Sequence, residues 1–188
     1  MYGAPPIDKK EVLRYAGYKI KNGETIDSET QALLDACLKE MQGKLEFKVC
    51  YRGLPVAVSG ENCDLGLFQV SSRHLARHLD GCTQAIVFAA TLGVGIDRLI
   101  TKYSSLSPAK ALMFQAIGAE RIEALCDVFC EEIGTTRRFS PGYGDLPLAT
   151  QKDVFAVLDC EKRIGLTLND SLLMSPSKSV TAFVGDTL

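Results

Sequence analysis

The residues best placed to do chemistry cluster in one run, Arg137-Arg138-Phe139-Ser140-Pro141-Gly142-Tyr143-Gly144-Asp145-Leu146-Pro147. Its prolines and glycines fix the course of the backbone, and glycine lets a ligand approach main-chain groups closely. Arg138 offers a planar fork that suits a carboxylate or a phosphate. Tyr143 offers a hydroxyl and a ring face on which a cation can sit. The same run reads equally as a rigid surface turn with a solvated arginine. Composition does not choose between the two, although loops on rigid scaffolds often carry function.

Other groups carry weaker signals. Glu120, Glu123 and Asp127 fall on one predicted helix, where acids are usually solvated or paired with neighbours such as Arg121. One of them facing a cleft could balance a bound sulfonium, because an unpaired cation in a partly dry site is costly. Thr91-Leu92-Gly93-Val94-Gly95-Ile96-Asp97 resembles the first glycine turn of nucleotide-binding folds, but Arg98 stands where a third glycine belongs. No alternating series of strands and helices follows, so a tight strand-to-helix turn accounts for it better than a conventional methyltransferase does. His74 and His78 have the i, i+4 spacing of metal ligands. They are flanked by Arg73 and Arg77 and lack a third ligand by spacing, which makes an exposed polar helix face the simpler reading. The seven cysteines include no CxxC and sit largely in apolar runs, as small buried hydrophobes do. No nucleophile elbow, Walker loop or HExxH is present, so no catalytic residue or metal site is assigned.

These groups need elements to position them. At 188 residues the chain is long enough for one domain with a sizeable core, taken here as residues 1–188. A net charge of −2 gives no global field for nucleic acid or an anionic membrane. No secretory signal or membrane span is legible, which points to the cytoplasm. Helices are predicted over 8–16, 28–42 (capped by Ser28), 71–79, 96–103, 108–133 and 151–163. The helix over 108–133 is capped by Ser107 and carries an apolar stripe of Leu112, Ala116, Ala119, Ile122, Leu125, Cys126 and Phe129. Gly118 costs that helix about 1 kcal/mol, which calls for a close packing partner. Residues 45–51 alternate as a half-buried strand, with Leu45, Phe47, Val49 and Tyr51 on one face. A turn over 52–55 and a returning strand over 56–58 follow. Residues 84–90 form a strand buried on both faces, and two short strands over 166–173 and 179–184 finish the chain. The class is α+β, with helices around a twisted, mostly antiparallel sheet.

At Arg138 the sequence also resembles a known family. Arg138 with Gly142-Tyr143 is similar to the RxxxGY motif of the activation domain of cobalamin-dependent methionine synthase, and Pro141 and Pro147 fit its PGYxxxP pattern. Leu158, Glu161, Lys162, Gly165, Leu168, Ser171, Met174, Pro176, Ser179 and Val180 continue the match without gaps, so that it covers about Arg138 to Val184. The stretch after Pro141 resembles short, stand-alone bacterial members. The resemblance implies a subunit that binds S-adenosylmethionine for reductive methylation of cob(II)alamin. The cobalamin would be held by a synthase lacking its own activation domain, and the electron would come from a flavodoxin-like donor. It implies that Arg138 holds the methionine carboxylate. It sets Gly142, Tyr143 and the main chain near Asp145 against the ligand. The family's long-helix glutamate falls near Glu123, although an ungapped match puts Ala124 there. The pattern also departs. The family's second ligand-contacting tyrosine falls at Val184, its Cys and His fall at Leu146 and Ala149, and its early acidic residue has no counterpart. A partner of corrinoid proteins that does not use S-adenosylmethionine is therefore the alternative.

Overall fold

Helices begin where the sequence offers caps. In the computed structural model, which describes residues 1–19, 26–135 and 137–186, Asp8 accepts from the Lys10 and Glu11 amides and opens α1 (Lys9–Tyr15). The next helix, α2 (Ser28–Met41), is capped by Asp27 and not by Ser28. The Asp27 carboxylate accepts from both the amide and the hydroxyl of Thr30, each at 2.8 Å. A carboxylate that takes two bonds is the stronger cap, so Ser28 becomes the first helical residue.

The first strand, β1 (Lys48–Pro55), corrects two expectations. It continues through the segment read as a turn, because all of its residues pair antiparallel with a later strand. An edge strand tolerates Gly53 and Pro55 in this way. The expected face is covered at Phe47, with Leu45 and Val49 packed on the same core, but Tyr51 is 51% exposed, while Cys50, on the other face, is buried with Leu54. Val49 and Tyr51 do share a face, but at the sheet edge little covers Tyr51 beyond the Phe129 ring, 5.3 Å away. Residues 56–58 do not return along β1. They lead into β2 (Ala57–Ser59), which forms a small meander with β3 (Asn62–Asp64) and β4 (Gln69–Ser71). Ser72 then caps the short α3 (Arg73–His78), which starts later than expected because Ser71 belongs to β4.

The central strand is β5 (Gln84–Thr91), buried almost throughout as its unbroken apolar run requires. Next come α4 (Gly95–Leu106) and the long α5 (Pro108–Glu132), the latter capped by Ser107. Leu112 leaves the expected stripe and is 53% exposed. The helix read over 151–163 is two helices, α6 (Gln151–Leu158) and α7 (Cys160–Ile164), broken where Asp159 adopts a left-handed φ of 50°. Aspartate is among the few non-glycine residues that visit this region. The expected strand over 166–173 shrinks to β6 (Thr167–Leu168), paired with β7 (Met174–Ser175), and β8 (Ser179–Asp186) closes the fold.

The main sheet has the order β1-β5-β8 and every pairing is antiparallel. Ala85, Val87, Ala89 and Phe183 face α3, α6 and α7, while Phe88, Ala90, Ala182 and Val184 face the C-terminal half of α5. A third core joins α1, α2 and α4 to the N-terminal half of α5. Six cysteines (Cys37, Cys50, Cys63, Cys126, Cys130 and Cys160) are buried in these cores. Gly118 has the close partner it needs, since a Cβ there would lie 2.9 Å from Lys178 Cγ and 3.1 Å from Ile96 Cγ1.

Gly93-Val94-Gly95 is a packing turn. A Cβ on Gly95 would lie 1.8 Å from the Lys44 carbonyl oxygen, so glycine lets the backbone after α2 cross the start of α4. Gly95→Ala is expected to cost about 3 kcal/mol by overpacking. Denaturant titration reads this directly, and an unchanged midpoint would show that the Lys44 segment yields freely. Among the described residues, no helix is long and apolar enough to cross a membrane.

Candidate functional site

The loop after α5 is positioned by the sheet and by its own turn. Phe139 exchanges both backbone hydrogen bonds with Phe183 of β8, at 2.9 and 2.8 Å. This lays the start of the loop along the outer edge of the sheet. The tip closes on itself: the Gly142 amide donates to Leu146 O at 2.9 Å and the Leu146 amide to Tyr143 O at 3.0 Å. Gly142 sits at a φ of 89°, which explains the glycine.

Asp145 anchors the far end. Its carboxylate accepts from Ser72 Oγ at 2.6 Å and from the amides of Arg73 and His74 at 3.0 and 3.1 Å, with His74 Nδ1 at 3.0 Å. The Ser72 hydroxyl, followed by His74 and the helix amides, holds this carboxyl well below the ordinary carboxylate range. A carboxyl depressed by folding stabilises fully above about pH 4, its unfolded value, and loses that contribution as the pH falls further. Asp145→Asn is therefore expected to lower the thermal midpoint at neutral pH, with the gap narrowing below about pH 4. A gap that stays constant with pH would refute the charged cap.

Arg138 lies at the root of the loop with its side chain 19% exposed. Its Nη1 donates to Asp127 Oδ1 at 2.6 Å, and its Nη2 donates to Glu123 Oε2. Burial opposes the charge, but Asp127, the Cys126 sulfur and Glu123 together raise the pKa above the ordinary arginine value. Glu123 and Asp127 are 44% and 61% exposed, so water screens these pairs and each contributes little stability.

A cavity of about 350 Å³ opens beside this group. Glu123 and Arg138 supply its charged side, and Phe139, Ser140, Pro141 and Tyr143 supply a wall. Gln151, Met174, Ser179, Val180 and Thr181 complete it. Of the expected residues, Arg138, Glu123 and Tyr143 meet here, with Tyr143 69% exposed at the mouth. Gly142 forms the turn behind the wall, and the Asp145 side chain is committed to α3. Glu120 points elsewhere: it pairs with Arg121, both are buried, and it accepts from the Asp8 amide at 2.9 Å. The histidines serve the loop. His74 stacks on Phe139 with ring centroids 6.4 Å apart. His78, half-buried and not exposed as expected, lies 3.2 Å from Phe183 O, and burial lowers its pKa.

Residues 132–187 match the family model described as vitamin B12 dependent methionine synthase, activation domain. A crystal structure of the MetH reactivation domain bound to AdoHcy superposes with a TM-score of 0.71 at 16% identity, over 91% of this chain and 71% of that one. The chain shares the fold of that reactivation domain, and its C-terminal third carries the family's sequence pattern. A search of the curated proteins finds no match. The matched segment contains the whole loop, α6, α7 and β8, and so all of the cavity lining except Glu123.

Sequence reasoning missed Gln151 and Thr181 in this cavity. Both side chains are buried, at 5% and 2% exposure. Gln151 Oε1 and Thr181 Oγ1 have no hydrogen-bond partner among the described residues. One signal was present. Ser179 and Thr181 alternate with Val180 and Ala182, so one face of an otherwise apolar strand is polar at its start, and both polar residues line the cavity.

Proposed function

We propose that residues 1–188 act as one unit, a stand-alone activation subunit of cobalamin-dependent methionine synthase that binds S-adenosylmethionine. The observation that carries this reading is the guanidinium of Arg138 at the cavity edge, inside the segment that matches the family, with Glu123 and Asp127 of α5 against it. S-adenosylmethionine presents a carboxylate, an ammonium and a sulfonium. Arg138 suits the first bidentately, and the two acids balance the other two. Charges already paired in the ligand-free chain can exchange partners, so no bare charge has to be desolvated. Tyr143 and the main chain near Asp145 border the rest of the ligand.

When bound, S-adenosylmethionine supplies the methyl group for reductive methylation of cob(II)alamin, on a corrinoid held by a synthase without its own activation domain and with an electron from a flavodoxin-like donor. This chain's part is to bind and orient the donor, which is catalysis by positioning. The setting is the cytoplasm.

The departures favour one second reading, a corrinoid-protein partner that makes no use of the methyl donor. Val184 stands in place of the second tyrosine and is buried in the core at 2% exposure. Titration calorimetry with S-adenosylmethionine, alone and with a truncated synthase, separates the two. Heat of binding supports the activation subunit. Capture of the corrinoid protein that is indifferent to S-adenosylmethionine selects the second reading.

A further inference from the structure

Two residues in the cavity wall each carry a buried polar atom that the fold leaves unmatched and that is closed to water. Buried polar groups almost always find partners, and an exception calls for a reason. Two exceptions in one cavity are less easily explained as accidents of packing. Gln151 is the first residue of α6, delivered there by the short 3-10 turn Leu148–Thr150 that follows the loop. Thr181 lies two residues along β8 from Phe183, on the same face of the strand, so the strand that receives the loop also presents the hydroxyl. Independent elements thus bring an acceptor, Gln151 Oε1, and a donor-acceptor, Thr181 Oγ1, to the wall of the same cavity, where a turn of either side chain would open it to a ligand.

The chemistry of the pair limits what it can read. Both groups are neutral. A cation entering the cavity would go to Glu123, and a carboxylate to Arg138. What remains for Gln151 and Thr181 is a neutral N–H or O–H donor flanked by apolar surface, which Pro141, Met174 and Val180 provide. We propose that Gln151 and Thr181 form a specificity pair that recognises the neutral hydrogen-bonding groups of a purine nucleoside, namely the exocyclic amine or the ribose hydroxyls. This rests on the assignment of the cavity to S-adenosylmethionine and adds residues that its amino-acid end does not use.

The test uses the full chain with Gln151→Leu, Thr181→Val and the double variant. The probes are AdoHcy, adenosine, purine riboside (no exocyclic amine) and 2′,3′-dideoxyadenosine (no ribose hydroxyls). The double variant is expected to bind AdoHcy and adenosine at least about tenfold more weakly, the order expected for unmade hydrogen bonds. Without ligand it is expected to melt higher than the parent, because unmatched buried polar atoms have been replaced by apolar groups of similar shape. On the parent chain, weakened purine riboside assigns the amine and weakened dideoxyadenosine assigns the hydroxyls; equal binding of both analogues and adenosine overturns the pair. AdoHcy binding that is equal in parent and double variant overturns the pair and leaves the proposed function standing. A lower melting point with unchanged affinity marks a structural role and also overturns it. Adenosine binding lost in the double variant, with no S-adenosylmethionine or AdoHcy binding by the parent, keeps the pair and sinks the proposed function. A parent chain that binds none of these probes sinks both.

Discussion

Arg138→Ala is expected to weaken S-adenosylmethionine binding by roughly 100-fold, as loss of a bidentate charged contact does. It should cost the fold far less. The arginine's acidic partners are half-exposed, so removing it strands no buried charge, and the expected loss of stability is at most about 2 kcal/mol, mostly from packing of the side-chain stem. Arg138→Lys keeps the charge but loses the fork, and should fall between parent and alanine in affinity. Calorimetry paired with thermal melts checks both quantities. An alanine variant that melts normally and binds normally would remove Arg138 from the site. One that loses binding only in step with lost folding would make it structural.

A larger effect on stability is expected at the middle of α5. Arg121 donates to the carbonyl oxygens of Pro5 and Pro6, at 2.5 and 2.6 Å, and pairs with Glu120. Both side chains are buried, and the Asp8 amide completes the group. Arg121→Ala leaves Glu120 charged or protonated in a dry site and the two carbonyls unmatched, a loss of about 3–5 kcal/mol. Replacing Arg121 by Met and Glu120 by Leu together should cost much less, because the desolvation penalty leaves with the pair. Chemical denaturation of the single and double variants separates the two cases. A double variant as unstable as Arg121→Ala would place the effect in the proline carbonyls alone.

Legibility followed the range of the forces at work. The cap at Ser107, the two-faced burial of β5 and the packing demand at Gly118 are local consequences of residue type, and all were readable. The loop's Arg138 stood out as a fork beside glycines and prolines, but composition did not show that its side chain would be largely buried against Glu123 and Asp127. What stayed hidden depended on pairing across the chain. The extension of β1 through Gly53 and Pro55 exists because β5 offers it a full partner. The left-handed Asp159 that splits the helix over 151–163 serves a local turn that helical periodicity cannot register. Gln151 and Thr181 look ordinary in sequence, as a first-turn helix residue and a strand threonine. Only the approach of α6 to β8 reveals that both lack partners.

The bridge between Phe139 and Phe183 bears on association as well as on the site. β8 is an edge strand, and an open edge is a template on which a second chain can add its own strand. The loop after α5 occupies the Phe183 position on that edge, which interrupts the run of unpaired backbone groups. The segment that carries Arg138 therefore also shields the sheet. A change that pulls it away exposes sticky backbone, and a loss of affinity and a loss of solubility at this loop would share one cause.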